Sequence, residues 1–227
     1  MKLSVVMSVY NGERFLREAL ESILSQTFAD FEFIIINDGS KDGSLGIIKK
    51  HPDPRMKVIS RENRGLIYSL NEGIGSAQGE YIARMDADDI SFPNRLEEQV
   101  RFLDDHPDVW LCGSWAELID EKGEKQGELK TPIGVRNVKK SFFWHNPFIH
   151  PSVIFRKKAV RELGGYNPKF RHVEDYELWS RLMKRHPADN LPLFLIQYRI
   201  LPQSVTRQFN FRMRWGGLKV RLKYLFS

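Results

Sequence analysis

The 227-residue sequence contains a single cysteine, Cys112, and lacks any apolar run near the roughly 20 residues that a membrane-spanning helix needs. One cysteine excludes an internal disulfide and a cysteine-based zinc site, and it is typical of a reducing compartment. The N-terminal run LSVVMSVY is short and is followed at once by polar residues, which favours a strand over a signal peptide. We therefore expect a cytoplasmic protein that contacts a membrane only peripherally, on the inner face of the cell membrane.

Several catalytic signatures are missing as well. The six histidines show no His-Glu-x-x-His spacing, and the sequence has neither a Gly-x-Ser-x-Gly elbow nor a Walker-type phosphate loop. It also lacks low-complexity tracts, and its 41% hydrophobic and 28% charged residues are typical of a folded globular domain.

The net charge of +6 is distributed unevenly. Residues 205–227 contain six basic residues and no acidic ones, so the other 29 basic residues balance the 29 acidic ones. Because the body of the protein is balanced, we expect no nucleic-acid partner and assign the excess charge to the tail.

The first hundred residues alternate between short β-branched apolar runs and segments with helical spacing. Strands are predicted at 3–10, 31–37, 56–60 and 80–86, each followed by a helical pattern, the last of which should begin near Pro93. Four such units in succession predict an α/β fold with a parallel, doubly wound, Rossmann-like sheet. Ligands of such sheets bind at the carboxyl ends of the strands, where polar residues collect in this sequence: Tyr10-Asn11, Asn37-Asp38, Arg61 to Arg64 and Asp86 to Asp89.

The second half of the chain has a looser pattern. Residues 110–120 and 127–132 predict a hairpin, 150–160 a strand that turns into a helix, and 174–186 an amphipathic helix. No linker long enough to separate domains is present, so we expect this half to extend the same sheet.

An acidic cluster follows the fourth predicted strand, where Asp86, Asp88 and Asp89 lie within four positions. Carboxylates at the end of a buried strand suit a hard cation such as Mg²⁺ or Mn²⁺. A solvated acidic turn that stabilises the N-terminus of the next helix is the alternative. The residues alone leave both interpretations open.

A second acidic pair, Glu174-Asp175, stands at the start of the predicted helix over 174–186. Such a pair can simply stabilise the helix N-terminus, or it can supply a general base within reach of a substrate hydroxyl. His150 and His172 lie near the same segments, although a lone histidine is more often structural.

The tail has the pattern of an amphipathic helix. Its apolar residues recur at spacings of 4, 3, 4 and 3 and are flanked by arginines and lysines: Phe211, Trp215, Leu218, Leu222 and Leu225. This pattern indicates an interfacial helix, so we expect residues 209–227 to contact an anionic membrane surface. The alternative is a helix docked on the domain or on a partner, and Gly216-Gly217 should weaken either helix by roughly 1 kcal/mol per glycine.

Three stretches taken together, SVVMSVYNGERFLREALESILSQTFADFEFIIINDGSKDGS, NRGLIYSLNEGIGSAQGEYIARMDADD and GGYNPKFRHVEDYELWSRL, resemble the family 2 glycosyltransferases. The resemblance implies the glycosyltransferase A fold, with a mostly parallel sheet and an acceptor-side extension. It implies a nucleotide-sugar-binding half over 1–107 and an acceptor-binding half of the same domain over 108–204, followed by the basic amphipathic tail over 205–227.

The resemblance also assigns roles by motif. Tyr10 and Asp38 would hold the nucleotide base, with Asn37 in place of the family's usual first aspartate. Asp86 would support the ribose and the cation, Asp88 would bind Mn²⁺ or Mg²⁺, and Asp175 would be the catalytic base. We expect the remaining nucleotide contacts from Ser8, Val9, Asn11, Glu13, Arg64 and Ala87, and sugar contacts from Asp89, His150, His172 and Glu174.

The implied reaction is inverting, metal-dependent transfer of a single hexosyl or N-acetylhexosaminyl group from a nucleotide-diphosphate sugar, with UDP as the expected nucleotide. Transfer of a single sugar is expected because the Gln-x-x-Arg-Trp motif and the membrane spans of processive members are absent. The expected acceptor is a hydroxyl of a lipid-linked or cell-envelope saccharide. The alternatives are a sugar nucleotidyltransferase, disfavoured by the single glycine in SVYNGERF, and a non-catalytic nucleotide-sugar-binding module.

Overall fold

A computed structural model describes residues 1–201 and 210–226, without the side chains of 210–214 and 225–226. The strands in these residues are β1 (Leu3–Val9), β2 (Phe31–Asp38), β3 (Met56–Arg61), β4 (Tyr81–Asp86), β5 (Ile90–Ser91), β6 (Leu111–Ile119), β7 (Lys125–Leu129), β8 (Ile154–Arg156) and β9 (Ala188–Arg199). The helices are α1 (Leu16–Leu24), α2 (Ser44–Lys49), α3 (Leu66–Ser76), α4 (Arg95–Asp105), α5 (Val135–Ser141), α6 (Lys157–Glu162), α7 (Glu174–Met183) and α8 (Asn210–Phe226).

The first four strands form the predicted parallel half of the sheet. Their order is β3-β2-β1-β4, with Ser8 paired with Asp86 and Val9 paired with Asn37 across the ladders. Apolar residues of β1 and β2 are buried on both faces of the sheet, which explains their nearly continuous apolar runs. Since all four strands run the same way, their carboxyl ends meet at one edge, as expected.

The second half extends the same sheet, as predicted, but largely by antiparallel pairing. Strand β8 pairs antiparallel with β4 and β6, β6 runs parallel to β9, and the β6–β7 hairpin projects from β6. The predicted hairpin, strand–helix unit and amphipathic helix are confirmed as β6–β7, β8–α6 and α7. Strand β9 was not predicted, because Pro192 interrupts its pattern and the pairing with β6 shifts between Leu191 and Phe194.

The core has one layer on each face of the sheet, because successive strand residues point to opposite faces. Met7 packs with α1 and α4, whereas Val6 packs with α3 and α7. Helix α3 lies very close to β1 at Gly73, where an added Cβ would come within 2.4 Å of Val6 Cγ1. This two-sided packing is the doubly wound arrangement predicted from the sequence.

The tail forms helix α8, and one of its faces docks on α7. Val220 is buried, and an added Cβ on Gly216 would lie 2.8 Å from Val173 Cγ2. Lys223 Nζ lies 3.0 Å from Oε1 of the buried Glu177. Glycine at position 216 therefore allows α8 to approach the start of α7 closely. On this face the tail is a helix docked on the domain, which is one of the two alternatives given for it above.

The opposite face of α8 carries the apolar stripe predicted from the sequence. Trp215, Leu218 and Leu222 are 55%, 39% and 47% exposed. The side chains of Phe211 and Leu225 lie outside the described residues, as do 202–209 and 227. No helix within the described parts of the chain is long and apolar enough to cross a bilayer.

Candidate active site

A cleft of about 620 Å³ lies at the carboxyl ends of β1, β2 and β3. Its lining includes residues from the strand ends where the sequence predicts ligand binding: Tyr10, Asn37, Arg61, Glu62 and Asn63. Sequence reasoning missed the other lining residues: Gly39, Ser40, Lys41, Leu45 and Ser60. Tyr10 is 51% exposed, so its ring is available to a ligand. Lys41 makes this cleft suitable for a phosphorylated ligand, whereas the Arg61 guanidinium is paired with Asp38 and Glu72.

One wall of the cleft is built by hydrogen bonds between the β1–α1 and β2–α2 loops. Asn11 adopts a left-handed backbone conformation with φ of 51°, which asparagine tolerates better than most residues. Its Oδ1 accepts from the Lys41 N–H at 2.8 Å, and Glu13 Oε2 accepts from the Gly43 N–H at 2.6 Å. Asn11 and Glu13 thus connect the two loops, and their contact with a nucleotide stays a prediction.

Asp38 lies beneath the cleft and is almost completely buried. Its carboxylate accepts from the Arg61 guanidinium and from the N–H groups of Arg64 at 2.8 Å and Gly65 at 2.9 Å. These contacts shape the β3–α3 loop, while the Arg64 side chain lies over the ring of Tyr68. The base contacts predicted for Asp38 and Arg64 stay predictions, and Arg61 is an additional candidate because it also lines the cleft.

The acidic cluster lies next to this cleft, since β4 pairs with β1. Ser8 and the buried Val9 end β1 opposite β4, and the Ala87 Cβ would be 3.6 Å from a Cβ added to Gly12. The predicted nucleotide residues on β1 and β4 are therefore neighbours. A ligand in the cleft can extend toward the aspartates.

The three aspartates lie close together and are not a solvated turn. Asp86, Asp88 and Asp89 each offer a carboxylate oxygen within 4.8 Å of the others. Asp86 pairs with the Arg84 guanidinium, whereas Asp89 is buried and accepts from the Arg199 N–H at 2.8 Å through Oδ1. Burial, with the neighbouring Asp86, raises the pKa of Asp88 to about 6, and burial likewise raises the pKa of Asp89.

The cluster fits a hard divalent cation. Oδ2 of Asp89 is buried without a hydrogen-bond partner among the described residues, so this oxygen can accept a further ligand. An all-oxygen set of closely spaced carboxylates is what Mg²⁺ and Mn²⁺ bind. Burial of Asp89 favours the cation over the acidic-turn alternative, because a turn that only stabilises a helix N-terminus would leave its carboxylates in water.

Arg199, at the end of β9, positions the turn that carries the cluster. Its Nε donates to the Asp88 carbonyl at 2.9 Å, and its Nη2 donates to Glu18 Oε2 at 2.6 Å. Sequence reasoning missed Arg199 because it did not predict β9. The fold alone brings this residue, more than a hundred positions away, to the cluster.

Asp175 lies in the first turn of α7, half-buried and held at both oxygens. Its Oδ1 accepts from the Tyr176 N–H at 2.7 Å, and its Oδ2 accepts from Asn146 Nδ2 at 2.7 Å. Burial raises its pKa despite these donors. The adjacent Glu174 is buried, which raises its pKa to about 7, and its Oε2 has no hydrogen-bond partner.

Arg84 connects the two acidic groups. This residue of β4 is buried, its guanidinium pairs with Asp86, and its Nε has no hydrogen-bond partner. Its charge lowers the pKa of Asp88 and also that of Asp175, in each case against the larger effect of burial. The residues predicted as metal ligand and as base therefore both lie within the electrostatic reach of one buried arginine, which sequence reasoning missed.

The two histidines differ in their surroundings. His150 Nε2 is 2.8 Å from the Tyr166 hydroxyl, and burial, with the charge of Arg84, lowers the pKa of this imidazole well below its usual range. His172 precedes α7 with φ of 72°, and among the described non-glycine residues only Asn11 shares a positive φ. Strained backbone is common at functional sites. The sugar contacts predicted for both histidines stay predictions.

Solved structures with a similar fold identify the fold family of this chain. S. aureus TarS 1–349 in complex with UDP superposes with a TM-score of 0.76 at 19% identity, covering 100% of this chain and 66% of that one. The mannosyltransferase PcManGT from Pyrobaculum calidifontis, in complex with GDP-Man and Mn²⁺, gives 0.76 at 18% identity, covering 98% of this chain and 64% of that one. The fold is therefore the glycosyltransferase A fold.

The chain belongs to glycosyl transferase family 2, whose sequence model matches residues 4–164. It is 35% identical over 211 residues to the O-antigen biosynthesis glycosyltransferase WbnJ of Escherichia coli, covering 90% of this chain and 82% of that protein. The resemblance predicted from the motifs is thus confirmed. The protein is a glycosyltransferase, which removes the nucleotidyltransferase and non-catalytic alternatives.

Proposed function

We propose that the protein transfers a single hexosyl or N-acetylhexosaminyl group, with inversion, from a UDP-sugar to a hydroxyl of a lipid-linked or cell-envelope saccharide. The observation that carries the proposal is the group of three aspartates at the end of β4, next to a cleft of about 620 Å³. The charge of Arg84, which pairs with Asp86, also acts on Asp175. The O-antigen role of WbnJ supports the acceptor class. The UDP complex of TarS supports the donor class, whereas the complex of PcManGT contains GDP-Man.

In this proposal residues 1–107 bind the donor. The base lies against Tyr10, with Asp38, Arg61 and Arg64 forming the floor of the cleft, and Lys41 faces the phosphates. Ser8, Val9, Asn11, Glu13 and Ala87 line the path from the base to the acidic cluster.

Asp86 and Asp88 would hold Mn²⁺ or Mg²⁺, with Asp89 behind them. When bound, the cation neutralises the charge that develops on the departing diphosphate, without a protein acid. Arg84 fixes the Asp86 carboxylate, and Arg199 fixes the backbone of the turn. The Mn²⁺ of the PcManGT complex supports this assignment.

Asp175 accepts the proton of the attacking hydroxyl. Its raised pKa brings it closer to neutral pH, where a carboxylate is a better general base than an ordinary surface aspartate. The hydroxyl attacks the anomeric carbon from the face opposite the diphosphate, so the configuration inverts. Residues 108–204 bind the acceptor, and Glu174, Asp89, His150 and His172 are the candidates for sugar contacts.

The reaction takes place on the cytoplasmic side of the membrane in this proposal. The tail, residues 209–227, contacts the anionic membrane surface, and the outward stripe of α8 supports that contact.

A hydrolysis screen over nucleotide sugars, with Mn²⁺ or Mg²⁺ present, tests the proposed function. We expect release of UDP from one UDP-sugar, and no release after chelation of the metal. Asp105→Asn, an exposed aspartate on α4, is the matched control for variants of the acidic cluster. Release that survives chelation would contradict the metal requirement, and release of GDP alone would contradict the proposed donor.

A further inference from the structure

Two long stretches of the chain contain no acidic residue, residues 129–161 and residues 190–227. The fold brings part of each together, because the segment after α5 packs against α8. We refer to residues 143–146 as the aromatic loop. The two stretches meet at this loop.

Three contacts join the aromatic loop and the preceding residue, Phe142, to α8. The Tyr224 ring lies 4.7 Å from the ring of Phe142 and 5.6 Å from that of Phe143, measured between centroids. Arg221 Nη1 donates to the Trp144 carbonyl at 3.1 Å. The loop and the helix therefore form one continuous surface.

Large apolar side chains on this surface point into solvent. Trp144 is 78% exposed, the highest value among the large apolar side chains that the structure describes. At 100° per residue, Trp215, Leu218 and Leu222 lie on the side of α8 opposite the buried Val220. Tryptophan is enriched where a bilayer meets water, because its ring is apolar and its N–H is polar.

Basic side chains surround these apolar ones. Arg136, Lys139 and Lys140 of α5 are exposed within three turns before the aromatic loop, and Lys219 is exposed on α8. Arg221 lies between the loop and the outward stripe. An apolar stripe bordered by cations, without nearby acidic residues in the sequence, is complementary to an anionic bilayer surface.

We propose that the aromatic loop and the outward face of α8 together dock on an anionic lipid bilayer, with Trp144 inserted at the interface. Docking there seats the catalytic site beside the bilayer, because Asn146, two residues after Trp144, donates to Asp175 Oδ2 at 2.7 Å. The acceptor is then a saccharide anchored in that bilayer. This last step rests on the proposed function, whose membrane contact by the tail the docking extends to the aromatic loop; the docking itself does not depend on the proposed sugar transfer.

Co-sedimentation of the full chain with vesicles tests the docking. We expect binding to vesicles that contain phosphatidylglycerol and little binding to phosphatidylcholine alone. Trp144→Ala should lower the partition coefficient roughly tenfold, because a buried aromatic ring contributes a large apolar area. Lys139→Ser and Lys140→Ser should each lower it roughly fivefold, the ratio that corresponds to ~1 kcal/mol per basic residue.

Matched controls come from the β6–β7 hairpin. Leu129→Ala removes an apolar side chain that is 40% exposed, and Lys122→Ser removes an exposed charge, so both should bind vesicles like the wild type. Circular dichroism establishes that each variant is folded. Equal binding by wild type and Trp144→Ala would overturn the proposal, as would binding to a single-stranded oligonucleotide without binding to vesicles.

The same measurements separate this proposal from the proposed function. Vesicle binding by a protein that releases no nucleotide from any sugar donor would support the docking and refute the function. Nucleotide release by a protein that does not bind anionic vesicles would support the proposed sugar transfer and refute both the docking and the membrane contact of the tail.

Discussion

At the level of single residues, the three aspartates after β4 have different environments. Asp86 is paired with Arg84, Asp89 is buried against the Arg199 N–H, and Asp88 is half-buried between them with a pKa raised to about 6. Of the three, Asp88 is the carboxylate for which the structure shows no pairing cation or backbone donor from another residue. This difference favours Asp88 as the main metal ligand, as the motif implied.

The pKa of Glu174 gives stability a pH dependence that a single substitution should remove. Its folded-state pKa is raised from 4.5 to about 7, so the folded state holds a proton that the unfolded state releases within this range. The free energy of unfolding contributed by this residue therefore falls as pH rises from about 4.5 to 7. We expect Glu174→Gln to stabilise the protein at pH 8 by up to about 3 kcal/mol and to have little effect at pH 4.

Urea denaturation of the wild type and Glu174→Gln at both pH values measures this effect. Exposed Glu162→Gln on α6 is the control and should leave the pH dependence unchanged. An equal difference between wild type and Glu174→Gln at pH 4 and pH 8 would contradict the assignment.

Replacement of Asp175 by Asn should abolish sugar transfer and leave nucleotide binding nearly unchanged. The amide keeps a similar shape but cannot accept a proton, and a general base contributes roughly 10²- to 10⁴-fold to the rate. Transfer assays and nucleotide titration measure the two effects, with Asp105→Asn as the control. Persistent transfer in Asp175→Asn would mean that another group is the base.

At the level of elements, the sequence predicts the parts of the fold whose pattern is local. Strands β1, β2 and β4 were predicted because each is a short run rich in apolar and β-branched residues. Helix α7 was predicted because its apolar residues recur with a clear helical period. Strand β9 was missed because its bulge at Pro192 and Leu193 breaks the strand pattern. Arg199, at the end of β9, was missed for the same reason. Asn146 was missed because no local pattern indicates its contact with Asp175, which is a tertiary contact.

The α7–α8 contact depends on a glycine, which a pair of neighbouring substitutions can test. Gly216→Ala places a methyl group 2.8 Å from Val173 Cγ2, whereas Gly217→Ala meets Tyr176 at an ordinary 3.7 Å. We expect Gly216→Ala to loosen α8, at a cost of about 1–3 kcal/mol from overpacking. Gly217→Ala should instead stabilise the helix by about 1 kcal/mol, because alanine has the higher helix propensity.

Hydrogen exchange of the amides in residues 215–224 measures both changes. Faster exchange in Gly216→Ala and slower exchange in Gly217→Ala are expected. Equal protection in the two variants would show that the close approach at Gly216 does not determine how α8 docks.

At the level of the whole molecule, the described candidate residues gather at one edge of the sheet and along its acceptor-side extension. The cleft at the carboxyl ends of β1, β2 and β3 follows from the parallel order of β1 to β4, which the sequence predicts. The surroundings of Asp175 do not follow from local pattern, because they depend on Asn146 and on the charge of the buried Arg84. The role of Asp175 as base comes from the resemblance to the family and stays a prediction.

Binding of Mn²⁺ should raise the melting temperature of the whole protein. A ligand at a hundred times its dissociation constant stabilises the folded state by about 2.7 kcal/mol. We expect this increase in the wild type and in Asp105→Asn, and none in Asp88→Asn. Thermal denaturation with and without Mn²⁺ measures the rise in melting temperature. The same rise in Asp88→Asn as in the wild type would mean that the ion binds elsewhere.

The hydrogen bonds that join the β1–α1 and β2–α2 loops also suggest a way to engineer the cleft. The side chain of Asn11 accepts from the backbone N–H of Lys41, and that of Glu13 accepts from the backbone N–H of Gly43. In the β2–α2 loop, only main-chain groups take part in these two hydrogen bonds. The identity of the side chain at position 41 is therefore uncoupled from the architecture around it. A saturation library at Lys41 offers a route to altered donor preference that leaves the scaffold intact.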